Sequence, residues 1–349
     1  MGSGFSIIEG PYFRDILDEP RALRETVAGL GIDGRVEAIA AKLRAGEFDR
    51  IVLTGMGSSY FALHPLHLAL GRLSYTPVMV ETSELVHHQA HLLRPRTLVI
   101  AVSQSGRSAE TLRLLDANEK RATIVGVTNS GDSPLATASD AAIVTRAGAE
   151  YSVSCKTYVS TLVALHWFGA IAVGSDLEAT RRELETVAPA TEDYLRGWKA
   201  HVESFAERFR SIEHVFIVGR GSSLAAVGTG ALTIKESDHV HAEGMSSAAF
   251  RHGPFEMANE KTFVLIFAGD EKTRELNHGL LRDLERLGVR CGWVSEDAGK
   301  AELRLPAVAP ALRPVMEILP AQMITLALAA LAGREAGKFV HATKITTVE

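Results

Sequence analysis

Short runs of consecutive hydrophobic residues alternate with longer amphipathic segments along the first half of the chain. The hydrophobic runs lie at Thr97–Val102, Thr123–Thr128 and Ala141–Thr145, and a helical pattern occupies Ser108–Glu119. Runs without an alternating polar face predict strands that are buried on both sides, and helices between such strands predict parallel pairing. We therefore expect the first half to fold as a parallel sheet covered by helices.

The second half repeats this pattern after a long helical region. Strands are predicted at Thr262–Phe267 and Val289–Val294, with a helix over Thr273–Leu287 between them. Before them, Cys155–Val173 is a mostly apolar helical stretch, and Leu177–Phe209 has the mixed charged and apolar pattern of a helical connector. The chain therefore contains two regions of the same character, joined by helices.

An internal repeat indicates two copies of one folding unit. The segment IVLTGMGSS at Ile51–Ser59 recurs as VFIVGRGSS at Val215–Ser223, and each copy predicts a strand, a G-x-G-S-S turn and a helix. We predict one domain at 1–188 and a second at 189–349. The fold class is predicted to be α/β, with two tandem, doubly wound parallel sheets. A final apolar helix is expected to begin at Pro320, because proline is tolerated in a first turn.

Composition narrows the class of partner. The 349 residues carry a net charge of −5 without a basic segment, which argues against nucleic acid and anionic membranes as partners. Cys155 and Cys291 lack metal-ligand spacing, so neither a metal site nor a disulfide is expected. We find no targeting segment and no run of about 18 uncharged apolar residues. The protein is expected in the cytoplasm, away from membranes.

Hydroxyl groups cluster between a strand and a helix of the first half. The segment S-Q-S-G-R-S at Ser103–Ser108 follows the strand Thr97–Val102 and precedes the predicted helix. Backbone N–H groups at a helix start attract anions, and hydroxyls add directional hydrogen bonds, so the segment has the form of a phosphate cradle. Helix capping by Ser105 and Ser108 explains the same residues equally well. The segment alone leaves both interpretations open.

The G-x-G-S-S turn at Gly55–Ser59 is a weaker signal, because glycines in a strand-to-helix turn often serve only the backbone. A dinucleotide fingerprint is incomplete here, with Tyr60 following the turn, so NAD is not expected as a cofactor. In an open parallel sheet the ligand lies at the carboxyl ends of the strands. Both serine-rich turns are predicted at those ends.

Three titratable residues are candidates for catalysis. Glu236 lies on a predicted helix, His252 lies in the following R-H-G-P segment, and Lys344 lies in the C-terminal tail. Taken singly, Glu236 fits a solvated helix face, His252 fits a structural loop histidine, and Lys344 has no evident role. The residues by themselves leave these alternatives open.

Taken together, the motifs resemble those of the sugar isomerase (SIS) family, in particular the isomerase domain of glucosamine-6-phosphate synthase. The resemblance rests on the S-Q-S-G-x-S loop, the two G-x-G-S-S turns, the lysine-glutamate helix, the H-G-P loop and the tail ending K-x-x-x-V-E. It extends over nearly the whole chain. It implies two flavodoxin-like sheets, a hexose or hexosamine 6-phosphate substrate, and no cofactor or metal.

The resemblance also implies one phosphate site per chain. The site is expected in the first repeat, because the matching segment of the second repeat, Ala268–Glu271, carries two carboxylates that would repel phosphate. The residues implied to hold the phosphate are Ser58, Ser59, Ser103, Gln104, Ser105 and Ser108.

By the same resemblance, Glu236 would move a proton between C1 and C2 of the open-chain sugar, and His252 would assist ring opening. Lys344 would form an imine with the keto carbon. Ser154 would contact the sugar, in a V-S-C-K segment that is one residue shorter than the family's V-A-S-T-K turn. A homodimer with a shared active site is also implied, in which His252 acts in the partner's site. The apolar stretch Cys155–Val173 is expected to need cover from that second copy.

Two departures from the synthase bear on the reaction. The sequence contains no glutaminase domain, so this chain alone is not expected to hydrolyse glutamine. Thr233 stands where the synthase has a lysine, one helical turn before Glu236. The predicted reaction is conversion of glucosamine 6-phosphate to fructose 6-phosphate and ammonia. The alternatives are a fructosamine-6-phosphate deglycase and a non-catalytic sugar-phosphate-sensing module, against which the retained Glu236, His252 and Lys344 argue.

Overall fold

The computed structural model describes residues 6–31, 33–341 and 343–346. They form two compact units, which we call the five-stranded unit and the four-stranded unit after their sheets. The described parts of the five-stranded unit are residues 21–150, apart from residue 32, with 156–186 and 343–346. Those of the four-stranded unit are residues 6–20, 151–155 and 187–341.

Each unit thus includes a short terminal segment from the half of the chain that mainly forms the other unit. Residues 6–20 belong to the four-stranded unit, and residues 343–346 belong to the five-stranded unit. Nothing in the pattern of the sequence indicates this exchange. The contiguous division into 1–188 and 189–349 stays a prediction.

The regular elements are numbered in chain order. The strands are β1 (Arg50–Gly55), β2 (Val78–Glu81), β3 (Thr97–Val102), β4 (Thr123–Thr128), β5 (Ala141–Val144), β6 (His214–Gly219), β7 (His241–Ser246), β8 (Thr262–Phe267) and β9 (Arg290–Val294). The α-helices are α1 (Pro11–Leu17), α2 (Glu19–Gly29), α3 (Gly34–Arg44), α4 (Ser58–Phe61), α5 (His64–Leu70), α6 (Thr82–His88), α7 (Ala109–Asn118), α8 (Pro134–Ala138), α9 (Lys156–Val173), α10 (Leu177–Glu185), α11 (Val187–Arg196), α12 (Trp198–Phe209), α13 (Leu224–Asp238), α14 (Ser247–Arg251), α15 (Glu271–Arg286) and α16 (Arg313–Ala332).

Both sheets are parallel throughout. The larger has the strand order β2-β1-β3-β4-β5, and the smaller has the order β7-β6-β8-β9. All residues of β3 and β8 are buried, as expected for strands covered on both faces. The prediction of an α/β protein with two parallel sheets is confirmed.

Helix α9 is covered by the chain itself. All but two of its 18 residues are buried, and it packs against α3, α5, α10 and β4 of the five-stranded unit. The expectation that this apolar helix needs the cover of a second copy is therefore wrong.

Helix α16 is the apolar helix at the core of the four-stranded unit, where it packs against α11, α12 and α13. It begins at Arg313 rather than at Pro320, because Pro314 already occupies the first turn and Pro320 lies inside the helix. By length and composition the segment Pro310–Ala332 could cross a membrane, yet 83% of its apolar window is buried inside the protein. Core packing accounts for its apolar character.

Candidate active site

The two serine-containing segments of the first repeat lie at one edge of the five-stranded sheet. Strands β1 and β3 are paired in parallel, with Gly55 opposite Val102 at their carboxyl ends. The turn with Ser58 and Ser59 follows β1, and the segment Ser103–Ser108, which we call the hydroxyl loop, follows β3. The strand order reverses between β1 and β3, which is where parallel sheets of this kind bind ligands.

The hydroxyl loop folds through its own serines. The Gly106 N–H donates to Ser103 Oγ at 3.2 Å, and the Arg107 N–H donates to Ser105 Oγ at 3.2 Å. Ser108 precedes α7, but its Oγ lies 2.8 Å from Thr111 Oγ1 and does not cap the helix backbone. Helix capping therefore does not account for the Ser108 hydroxyl.

Several donors of the loop are available to a ligand. Among the described residues, the backbone N–H groups of Gln104, Ser105 and Ser108 have no acceptor. Unpaired N–H groups are rare in folded proteins and attract anions when they are grouped. The first N–H of α7, that of Ala109, donates to the carbonyl oxygen of Thr346 at 3.1 Å. The loop can thus bind an anion through hydroxyls and its own N–H groups, without the Ala109 N–H.

Charged side chains lie within the loop and directly after it. Arg107 forms an exposed ion pair with Asp132, at 3.0 Å between Nη2 and Oδ2. Glu110 lies in the first turn of α7 and is 7% exposed, and its Oε2 has no partner among the described residues. Glu110 was not among the candidates from the sequence, and its carboxylate lies in the first helical turn after the hydroxyl loop.

The second serine turn has a similar character. Gly57 adopts a φ of +51° directly before α4, which begins at Ser58. Ser58 and Ser59 are half-buried, and neither hydroxyl has a hydrogen-bond partner within the described part of the chain. Both hydroxyls can therefore bind a ligand.

Lys344 is held by an acid that sequence analysis did not identify. Its Nζ lies 2.5 Å from Oε2 of Glu150, whose side chain is fully buried. Glu150 also accepts hydrogen bonds from Thr157, from the N–H at 3.1 Å and from Oγ1 at 2.6 Å. No spacing or periodicity in the segment A-G-A-E-Y marks this acid.

An open pocket of about 560 Å³ connects the hydroxyl loop with this acid inside the five-stranded unit. Gln104 of the loop and Glu150 both line it. The other lining residues are Glu25, Asn129, Ser130, Val144, Thr145, Arg146, Gly148 and Ala149. The unit thus brings together the hydroxyl loop, an open pocket and the acid that holds Lys344.

The remaining candidates lie in the four-stranded unit. Glu236 is half-buried on α13, and His252 is exposed directly after α14. Ser154 is half-buried. Thr233 is buried on α13, and its Oγ1 donates to the Thr229 carbonyl oxygen at 2.7 Å. No cationic side chain therefore stands one turn before Glu236.

The serine turn of the second repeat is engaged within the protein. Ser223 Oγ donates to Glu317 Oε1 at 2.8 Å, and burial raises the pKa of Glu317 to about 7. Asp270, after β8, caps α15 by accepting from the Thr273 N–H at 3.0 Å. This carboxylate serves a helix, which gives Ala268–Glu271 a structural role.

Comparisons with known proteins agree with this architecture. A protein-family profile described as the SIS domain matches residues 47–170 and 208–332. The glutamine–fructose-6-phosphate aminotransferase (isomerizing) of Pyrobaculum aerophilum is 30% identical over 97% of this chain. That match covers 58% of the relative, so the chain spans a little over half the length of this curated protein.

Two solved structures share the fold. The C-terminal domain of glucosamine-fructose-6-phosphate aminotransferase from Francisella tularensis superposes with a TM-score of 0.80 at 21% identity, over 93% of this chain and 96% of that one. Glucosamine-6-phosphate deaminase from Thermotoga maritima superposes with a TM-score of 0.78 at 20% identity, over 97% and 100%. The two matched segments and the sequence relation establish that this chain belongs to the SIS domain family and is homologous to the isomerase part of the aminotransferase.

Proposed function

We propose that this chain is an amino-sugar-phosphate isomerase and deaminase that converts glucosamine 6-phosphate and water to fructose 6-phosphate and ammonia. One observation carries the proposal: a loop with unused N–H and hydroxyl donors lines the same pocket as the acid that holds Lys344. The N–H and hydroxyl donors of the loop suit a phosphate, and a lysine amine suits a sugar carbonyl. A hexosamine phosphate offers both groups in one small molecule.

Substrate binding is assigned to the first repeat. The phosphate would be bound by Ser58, Ser59 and the hydroxyl loop, in which Gln104 and Ser105 supply backbone N–H groups. Hydrogen bonds to a charged group are each worth roughly 1.5–3 kcal/mol, so a few of them suffice for selective binding of the phosphorylated sugar. Ser154 would contact the sugar itself.

The chemistry is assigned to three side chains. His252 would assist ring opening, and Glu236 would carry a proton from C2 to C1, which turns the C2 amine into an iminium. The Lys344 amine would then displace ammonia from C2 by imine exchange. Addition of water to the Lys344 imine gives fructose 6-phosphate and restores the lysine.

The residue one helical turn before Glu236 is a reason to propose deamination and not the full synthase reaction. The Thr233 hydroxyl donates a hydrogen bond within its own helix, and this side chain adds no charge near Glu236. A lysine at this position would add a cation one turn away, which would change how readily the carboxylate takes up a proton. The synthase resemblance is therefore weakest at this position.

The proposal is tested by measuring ammonia release from a panel of hexosamine 6-phosphates and their unphosphorylated sugars. We expect release from glucosamine 6-phosphate and none from free glucosamine. Release of a substituted amine from fructosamine 6-phosphates, without ammonia from glucosamine 6-phosphate, would identify a deglycase instead. Tight sugar-phosphate binding without turnover of either would indicate a sensing module.

We further propose that two copies share each site, with His252 acting beside the hydroxyl loop and Glu236 of the partner. The proposal comes from the family resemblance, and the exposure of His252 is consistent with it. Inactive His252→Ala and Glu236→Ala chains should regain about a quarter of wild-type activity when mixed, because each mixed dimer contains one intact site. No recovery in mixed dimers verified by native mass spectrometry would assign His252 to its own chain.

A further inference from the structure

Glu150 is a buried acid at the edge of the pocket, and the proposed reaction gives it no role so far. Its side chain has no exposed surface, and its Oε2 lies 2.5 Å from the Lys344 Nζ. Removing a carboxylate from water is costly, and a buried acid is therefore retained where specific donors compensate for the loss of water. The donors around Glu150 show what it is placed to do.

A helix start fixes the direction of the Glu150 carboxylate. Oε1 accepts from the Thr157 N–H in the first turn of α9, and Oε2 accepts from the Thr157 hydroxyl. The start of α9 thus supplies both donors that orient the carboxylate. Because these contacts do not involve the tail, the carboxylate is already oriented when it meets Lys344.

Other charged groups lie close to this pair. Glu25 and Arg146 line the same pocket as Glu150, and they carry opposite charges. Lys156 is buried in the first turn of α9, next to Thr157. These three side chains belong to the electrostatic surroundings that a change of pH would act upon.

We propose that Glu150 positions the Lys344 amine in the pocket and relays two of its protons to the carbonyl oxygen while an imine forms. The inference rests on the proposed function, in which Lys344 bonds to a sugar carbonyl. A merely structural ion pair would hold the tail in place and would take no part in proton transfer.

The proton balance can be followed atom by atom when Lys344 meets a free carbonyl. The Lys344 ammonium passes one proton to Glu150, which frees the nitrogen electron pair to bond the carbonyl carbon. The oxygen takes this proton and then a second one, both through Glu150, and leaves as water. The third proton stays on the iminium nitrogen. The pair thus begins as an ammonium and ends as an iminium beside the ionised carboxylate, and it is neutral while Glu150 carries a proton.

A small carbonyl tests this role without any sugar. Formaldehyde with sodium cyanoborohydride methylates lysines through the same kind of imine, and mass spectrometry of digested protein gives the rate at Lys344 relative to the exposed Lys42. We expect Glu150→Gln to slow methylation of Lys344 roughly a hundredfold at about pH 6, since general acid–base assistance is of that order. The deficit should shrink at about pH 9, where hydroxide can take the proton.

Two further variants separate positioning from structural support. Thr157→Val removes one hydrogen bond to Glu150 but keeps the carboxylate, so its methylation rate should stay within about threefold of wild type. Glu150→Asp keeps the charge on a shorter stem and should restore part of the rate with the wild-type pH profile. It also serves as the measurement if Glu150→Gln does not fold.

The outcomes distinguish this inference from the proposed function. A Glu150→Gln deficit of equal size at both pH values, or faster methylation than wild type at about pH 6, would overturn the positioning role. Borohydride reduction with fructose 6-phosphate then tests the sugar chemistry, with the adduct expected on Lys344. If no sugar is trapped while the formaldehyde results hold, the proposed function fails and the role of Glu150 stands.

Discussion

The two serine turns of the internal repeat start from nearly the same sequence and differ in what surrounds them. After β1, the hydroxyls of Ser58 and Ser59 have no partner within the described residues. After β6, Ser223 donates to the buried carboxyl of Glu317. A protein oxygen thus takes the position at the second turn that a ligand oxygen would take at the first.

The loops that follow the neighbouring strands differ in their side chains and not in their backbone N–H groups, since those of Gly269 and Asp270 after β8 also have no acceptor among the described residues. In the hydroxyl loop after β3, the N–H groups of Gln104 and Ser105 have no acceptor in the described part of the chain. After β8, Asn277 donates to the Ala268 carbonyl oxygen at 3.1 Å and Arg313 donates to that of Gly269 at 2.7 Å. The hydroxyl loop carries three serine hydroxyls, whereas the second loop carries the Asp270 carboxylate, which accepts from the Thr273 N–H and caps α15.

The largest expected effect comes from a methyl group in the hydroxyl loop. Gly106 has a φ of +63°, and a Cβ there would lie 2.2 Å from Ser133 Oγ. Ser133 itself caps α8 through the Ala136 N–H. Gly106→Ala must therefore distort the loop, and we expect the KM for the sugar phosphate to rise more than about a hundredfold, since several charged hydrogen bonds are lost together.

Gly269→Ala is the matched change in the four-stranded unit. Gly269 also has a positive φ, +73°, but the nearest atoms to its Cβ would be 3.3 Å away. We expect a loss of about 1 kcal/mol in unfolding free energy and an unchanged KM. Both variants are measured by steady-state kinetics on folded protein. Equal losses of substrate binding would contradict the assignment of the phosphate site to the first repeat alone.

A single hydroxyl should have a smaller effect. Ser105→Ala removes one donor to the phosphate, and we expect the KM to rise about ten- to a hundredfold with little change in kcat. The same substitution at Ser222, in the second turn, should leave both constants unchanged. An unaltered KM in Ser105→Ala would remove the hydroxyl loop from the site.

Strands could be predicted from the sequence where burial on both faces requires an uninterrupted run of apolar residues. Strands β3, β4 and β8 have the predicted bounds, because each is a run of apolar residues covered on both faces. Strands β2 and β7 were not singled out, since β2 has four residues and β7, with the sequence HAEGMS, contains polar residues and a glycine. The start of α16 was predicted wrongly, because two prolines competed for one first turn.

The site could be predicted only in part, for a related reason. The serines of the hydroxyl loop form a local motif, so their grouping is visible in the sequence. Glu150 and Glu317 acquire their importance from partners 194 and 94 residues away, Lys344 and Ser223. Burial of a single acid leaves no periodic pattern. Such pairs become apparent only from the three-dimensional structure.

Glu317, the partner of Ser223 in the second serine turn, makes the stability of the protein sensitive to pH. Its pKa is raised from 4.5 to about 7 by burial, so between these values the unfolded chain ionises while the folded chain keeps the proton. Stability must therefore fall as the pH rises through this window and level off above about pH 7. We expect a loss of about 2 kcal/mol between about pH 5 and pH 8, and Glu317→Gln should abolish it.

Urea unfolding at several pH values measures this effect, and Glu271→Gln, which removes an exposed carboxylate, is the control. The control should keep the wild-type pH dependence. If Glu317→Gln also keeps it, another group causes the loss of stability.

The smallest expected effect is that of Ser223→Ala, and it tests whether the second turn serves structure alone. The variant removes the hydrogen bond to Glu317, which costs about 1 kcal/mol of unfolding free energy. Because that bond lowers the pKa of Glu317, its loss should raise this pKa further and move the pH-dependent window upward. The KM for the sugar phosphate should not change, since this serine binds a protein carboxyl. A KM increase as large as that of Ser105→Ala would show that both turns of the repeat bind substrate.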